Sequence, residues 1–205
     1  MGGVGGQGDP KNFGWRLLGG TEASSLVEFA ICLPLLVVLV VGIFDFGGAF
    51  NQKQMLNNAM REGARFGASL PTNDLCTSCG APPSVDAVRY FVDSYLLAAK
   101  VNDCGLSSAA VPGSGPPWAY TANTSCAGTL TLTIDRGYAS SATSVSCPPL
   151  TETIGANTPV NLFCTKVTIS YPYQWHFDNV IQLVSPGASY ALTNITTNAT
   201  AVNMD

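Results

Sequence analysis

The front of the chain is apolar on every side, and the rest alternates. Sixteen consecutive residues, Phe29 to Phe44, carry no charge and are rich in Leu and Val. As a helix that run covers ~24 Å, and extension to Phe50 gives ~33 Å, close to a hydrocarbon core of ~30 Å. Glu28 precedes the run and Asp45 closes it. Both lie near an end, where a charge costs less than the ~2.5–3.5 kcal/mol of the bilayer centre. Pro34 would break a helix in water but is tolerated in a membrane helix. Two rivals are a buried core helix of a soluble protein and a secretory signal peptide. The length of charge-free sequence argues against the first. The length of the run and its continuation into "DFGGAFNQKQMLNNAMREGARFG", which reads as more helix, argue against the second.

Beyond the run the pattern becomes one-sided. Residues 51–70 place Leu56, Met60, Gly63, Phe66 and Leu70 on one helical stripe, with Arg61, Glu62 and Arg65 off it and Pro71 ending the helix. After a loop, "SVDAVRYFVDSYLLAAK" predicts a second helix with Ser84 as cap and Asp86 in the first turn. Its expected buried face is Val85, Val88, Phe91 or Val92, Tyr95 and Ala99, with Lys100 in the last turn. Residues 102–128 are rich in Gly, Pro and Ser and predict a long loop with room for a short strand. "TLTLTID", "NLFCTKVTISY" and "ASYALTNITTNATAV" alternate with period two, and "PYQWHFDNVIQLVSPG" joins the last two. The expectation is an antiparallel sheet of about three strands, one face on the helices and one in water.

Composition narrows the function. Of 205 residues only 11% are charged, the net charge is −4, and no basic cluster exists, which excludes nucleic acid as a partner. The Gly-rich opening follows no strand and lacks a phosphate-loop lysine. With a single histidine, His176, no Ser/His/Asp set can be assembled, and Asp86, Asp93 and Asp103 read as solvated charges. No catalytic residue, metal or cofactor is expected.

Seven cysteines change the picture more. Cys32 lies inside the apolar run, and Cys76, Cys79, Cys104, Cys126, Cys147 and Cys164 follow it. An even set downstream of a span suits disulfides in an oxidising compartment. Cys76-Thr-Ser-Cys79 has three readings: a thioredoxin-type dithiol, half a zinc knuckle, or a structural disulfide. The first lacks the preceding strand and the second lacks a second ligand pair. Cys76 and Cys79 can pair with each other or staple the loop to Cys104 or Cys126, and Cys147 and Cys164 flank a strand connection. The cysteines place the downstream part outside the cytoplasm. The flanking cations, Lys11 and Arg16 before the span against Lys53, Arg61 and Arg65 after it, lean weakly the other way. Asn123, Asn194 and Asn198 stand in glycosylation sequons, which matter only where the machinery exists.

"LVEFAICLPLLVVLVVGIFDFGGAF" followed by "NNAMREGARFGA" resembles the TadE-like family, pseudopilin-like minor subunits of the tight-adherence (type IVc) pilus machinery. The matching features are "VEFA", Pro34, Asp45-Phe46-Gly47 and Arg61-Glu62-Gly63-Ala64-Arg65, over about residues 24–70, and "VTISYPY" looks like the family's C-terminal strand. The cysteine-bearing middle is not explained by the family pattern. The resemblance implies a cytoplasmic leader removed by a membrane-embedded prepilin peptidase, leaving glutamate fifth in the mature chain. Counting from Glu28, the mature chain starts at Ser24, after Ala23. Prepilins usually have Gly before the cut, and a cut after Gly20 would instead put Ser25 fifth. The new amine at Ser24 and a neighbouring subunit's Glu28 then form a registry pair in low dielectric. The bare alternative is that Glu28 only marks the membrane boundary. Asp45 either pairs with Lys53 or a basic residue of a partner helix, or snorkels to the interface.

The expected architecture is α+β. Residues 1–23 form a cytoplasmic leader, 24–50 a transmembrane helix, 51–70 its amphipathic continuation, and 71–205 a disulfide-rich extracytoplasmic head. Glu28, Pro34 and Asp45 are the candidate helix-assembly residues. The expected role is a structural minor pilin in the bacterial inner membrane, aiding pilus assembly and surface adhesion. Its partners would be other pilin subunits, the assembly platform, prepilin peptidase and the lipid bilayer. The rivals are a membrane-anchored adhesin outside any filament, and a periplasmic thiol–disulfide protein using Cys76 and Cys79.

Overall fold

A computed structural model describes residues 2–3, 21–76, 79–136, 152–153, 159–160, 164–175 and 192–203. The chain forms two units, Met1–Phe44 and Asp45–Asp205. Helix α1, Thr21–Ala68, runs from the first into the second, with Pro34 inside it. Helix α2 is Pro83–Ala98. The strands are β1 Trp118–Ala122, β2 Leu130–Asp135, β3 Glu152–Thr153, β4 Pro159–Val160, β5 Cys164–Gln174 and β6 Leu192–Val202. The architecture is thus α+β: a long apolar N-terminal helix, a second helix, a small antiparallel sheet and disulfides.

The main sheet has four strands in the order β1-β2-β5-β6, and β3–β4 form a separate ribbon. The fourth strand is β1, the short strand for which the Gly/Pro/Ser-rich stretch 102–128 left room. Its inward residues Trp118, Tyr120 and Ala122 are buried. They sit opposite Ile134, Leu132 and Leu130 of β2. On β5, Val167 and Ile169 oppose Ile134 and Leu132, so one face carries a continuous apolar layer. From Thr165 to Tyr171 the expected alternation holds, with Thr165, Val167, Ile169 and Tyr171 buried; Cys164, expected on the other face, is buried too, and residues 161–163 lie outside the described residues. The strand outlasts that reading: Pro172, Tyr173 and Gln174 still pair with β6. Pro172 is tolerated because β2 pairs no further along β5 than Ser170, so one side of the strand is open there.

Helix α1 lies antiparallel along β5. A Cβ on Gly67 would meet Thr165 Cγ2 at 2.7 Å, one on Gly63 would lie 4.0 Å from Val167 Cγ1, and one on Gly48 would lie 3.2 Å from the Tyr173 hydroxyl. The buried stripe of α1 is Leu56, Ala59, Met60, Ala64 and Ala68, with Phe66 and Leu70 packed at its edge. The glycines of "REGARFG" therefore face inward, where side chains would hold the helix off the sheet, while Arg61 and Arg65 point to solvent. The helix ends at Ala68, two residues short of the expected boundary, and Arg136 closes it. This fully buried guanidinium donates to the carbonyls of Leu70 at 2.6 Å and Pro71 at 3.1 Å. A cation there also suits the negative end of the helix dipole.

Helix α2 starts earlier than expected. Pro82 is its cap residue and Pro83 its first position, a place where a missing N–H costs nothing. Ser84 is therefore not the cap. Its amide and hydroxyl both donate to the Asp74 carboxylate, each at 2.9 Å, so the preceding loop supplies the acceptor. At the far end Lys100 takes φ 58°, outside the helix rather than in its last turn. The Val101 and Lys100 amides bond back to Leu96 at 2.9 Å and Leu97 at 3.0 Å, and Val101 is buried, as in a Schellman ending. Val92, not Phe91, takes the buried position; Phe91 stacks on Phe66 of α1 with centroids 4.6 Å apart.

Candidate functional site

The apolar part of α1 is long and apolar enough to cross a membrane, and none of its most apolar 18-residue window is buried. Leu26, Phe29, Ile31, Leu35, Ile43 and Phe44 all stand in the open. In water such a surface costs roughly 25 cal/mol per Å². It therefore requires a cover of lipid or other helices. Ala23 and Ser24 lie in the first turn of the helix, and Ser24 and Glu28 are exposed. Among the described residues Glu28 has no hydrogen-bond or ion-pair partner. Pro34 removes one backbone donor, leaving the Ala30 carbonyl without its helical partner.

Asp45 sits where α1 meets the sheet. It is 7% exposed, and the buried Tyr173 hydroxyl donates to its Oδ1 and its carbonyl, both at 3.3 Å. Asp45 thus meets a residue of its own sheet, while Lys53 stands exposed. Gly48, one turn on, leaves room for that hydroxyl. Burial raises the Tyr173 phenol above its ordinary value, and the Asp45 charge adds to the shift, so it stays a donor. Beside this pair Phe46 meets Trp175 edge-on at 5.2 Å, and Trp175 meets Tyr173 at 5.1 Å. The Trp175 indole N–H donates to Thr193 Oγ1 at 2.8 Å. Sequence reading singled out Asp45 and the "VTISYPY" strand separately, and their pairing across 128 positions left no local trace.

A second polar cluster lies inside the head. Arg89 is 2% exposed, binds Asp86 Oδ1 at 2.8 Å, and donates to the Leu106 and Ser107 carbonyls at 2.9 and 2.6 Å. Its guanidinium lies 4.0 Å from the Tyr90 ring centroid and 5.1 Å from that of Tyr120. Asp93 is 6% exposed. Burial first, then the Asp103 carboxyl, push it up to about 6. Burial and the Asp86 charge hold the Tyr120 phenol well above its usual range. The reading of these aspartates as solvated charges is therefore corrected for Asp93 and, in part, for Asp86. The signal was available: Arg89 and Asp93 fall on the apolar face set by Val85, Val88, Val92 and Leu96. Arg89, Asp86 and Tyr120 are bonded to one another or to backbone, an arrangement that braces α2 against the Leu106–Ser108 turn and β1, while Asp93 Oδ1 is buried without a hydrogen-bond partner among the described residues.

The cysteines form two described disulfides. Cys76 bonds Cys79 with Cα atoms 5.7 Å apart, and Cys104 bonds Cys126 with Cα atoms 5.1 Å apart. Cys164 is disulfide-bonded as well, and Cys147 lies outside the described residues. Cys32 is free and exposed on the apolar helix. The Cys76–Cys79 link precedes α2 by a loop containing Pro82, without the strand-to-helix setting of a redox dithiol. Among the described residues no group of three His, Cys, Asp or Glu side chains could hold a metal ion.

Residues 23–65 match the model of a family described as "TadE-like protein". The matched segment begins at Ala23, contains Glu28, Pro34 and Asp45, and ends at Arg65, inside α1. Neither a curated protein nor a solved structure matches the chain.

Proposed function

We propose that this protein is a structural subunit, a minor pilin or pseudopilin, of a tight-adherence pilus machinery. The single observation that carries the reading is the coincidence of the TadE-like match with a helix whose apolar surface is left wholly uncovered. The anchor sits in the bacterial inner membrane with the head on the outer side, where its disulfides are stable. The role is to support assembly, not catalysis.

In lipid the hydrophobic effect does not choose between acyl chains and a neighbouring helix, because both are equally apolar. Selection must come from packing and from polar pairs. Cleavage after Ala23 frees an amine at Ser24, and the exposed Glu28 carboxylate is suited to meet that amine on an adjacent subunit. The pair sets the register of one helix against the next, and Pro34 offers a bare carbonyl nearby.

N-terminal sequencing of the membrane-extracted protein, with co-purification of pilus components, tests this. A start at Ser24 and recovery with other pilins are the expected results. Glu28→Ala is expected to block leader removal or assembly while the head remains folded. An unprocessed chain that purifies as a solitary membrane protein overturns the reading.

A further inference from the structure

We infer that Phe46, Tyr173 and Trp175 form an aromatic collar that seats the end of the head in the headgroup layer of the bilayer and fixes how deep α1 sits. The inference rests on the membrane-anchored reading above. It extends that reading by assigning a lipid-contacting surface to the sheet.

The collar is continuous with the apolar run. Phe46 lies two residues beyond Phe44 on the same helix and is 69% exposed; Phe50, one turn on, is 65% exposed. Lys53 follows, and it is the first cation after the run. Asp45, buried against Tyr173, stands between the run and Phe46; the exposed groups then follow the order apolar run, aromatics, cation, which is that of a membrane boundary read outward. The sheet contributes the other two rings. Trp175 lies just past the end of β5, and its ring contacts both Phe46 and Tyr173.

The polar ends of these rings decide between a boundary and a dry core. The Tyr173 hydroxyl is satisfied by Asp45, and the Trp175 N–H by Thr193, itself exposed. Trp175, half-buried with its N–H on an exposed threonine, has the dry body and wet tip that favour the interface, while the buried Tyr173 and Asp45 back it from inside the head. A partner protein would bury Phe46 and Phe50 equally well, but nothing in the surrounding charge pattern selects one.

The test reconstitutes the full chain in phosphatidylcholine vesicles carrying bromine either near the headgroup or near the acyl-chain end. Trp15→Phe removes one emitter. Trp118 is fully buried in the head core and remains as an unquenched reference. Near-headgroup bromine is expected to quench the remaining emission at least about twofold more than deep bromine. Trp175→Phe is expected to abolish that difference while circular dichroism stays unchanged. Emission quenched only by aqueous iodide, with the chain retained in carbonate-washed vesicles, overturns the collar and leaves the anchor intact. A chain washed off by carbonate overturns both.

Discussion

Gly67→Ala adds one methyl group where α1 is wedged between β5 and α2. The new Cβ would stand 2.7 Å from Thr165 Cγ2 and 3.1 Å from Val88 Cγ2. These neighbours come from β5 and α2, so no single shift relieves both. Thr165 is buried and its hydroxyl donates to Asn203 at 2.8 Å, which holds its rotamer. Val88 is fully buried. Overpacking of this kind costs ~1–3 kcal/mol, and two opposed contacts place it in the upper half. Replacing Gly by Ala in a helix interior returns up to ~1 kcal/mol, and less here because Gly67 is next to the last helical residue. The net expectation is a loss of ~1–2 kcal/mol. For a head of this size that lowers Tm by ~3–6 °C. Thermal unfolding of the detergent-solubilised full chain, followed by near-ultraviolet circular dichroism, reads the shift. Gly47→Ala is the control: it is helical too, and nothing lies within 4 Å of its Cβ position. It should melt with the parent or slightly above. A Gly67→Ala protein as stable as the parent would refute the claim that this glycine exists for close approach.

Tyr173→Phe leaves Asp45 without the hydroxyl that donates to it and should cost ~1.5–3 kcal/mol, as for a hydrogen bond to a charged group; chemical denaturation in detergent measures it. Asp93 titrates at about 6 in the folded head, above its ordinary 3.8. Its contribution to stability is therefore full below the unfolded value and is lost as pH rises through the folded one. Asp93→Asn should flatten that slope and raise stability at neutral pH by ~1–2 kcal/mol, and an unchanged slope in a pH series of melts would count against the buried carboxyl pair. Opening the Cys104–Cys126 link by a double Ser substitution frees a loop with a sequence separation of 22 and should cost ~3 kcal/mol, against ~2 kcal/mol or less for Cys76–Cys79 with a separation of 3. Melting curves of the two double variants compare them, and equal losses would refute the loop-length ordering.

The regular elements were legible because each has one dominant period. The uncharged run, the Leu56–Met60–Gly63 stripe and the Val167–Ile169–Tyr171 alternation point to their elements without tertiary help. Strand β1 was obscured by the Pro and Gly around it, although Trp118, Tyr120 and Ala122 alternate. Pro172 hid the continuation of β5, since only the sheet order shows that the strand is open on one side there. The Ser84 cap failed because Asp74, ten positions earlier, supplied the acceptor instead. Asp93 was misjudged through residue type: a charge on an apolar face was assigned to solvent, although the helical period already placed it inside.

The matched segment 23–65 joins two physical tasks on one helix. Up to Phe44 every face is apolar and uncovered, so the surface is available all round to lipid or to other helices. From Asp45 onward one face is committed to the head, through the Tyr173 hydroxyl at one end and the Gly63–Gly67 contact at the other. Asp45 and Gly48 in "DFGG", and Gly63, Ala64 and Gly67 in "REGARFG", are small or specifically hydrogen-bonded residues on that committed face. Larger residues there would lift the helix from β5 and break its fixed attachment to the head. Among the motif residues beyond the span, Asp45, Gly63, Ala64 and Gly67 are accordingly explained by attachment of the helix to the head.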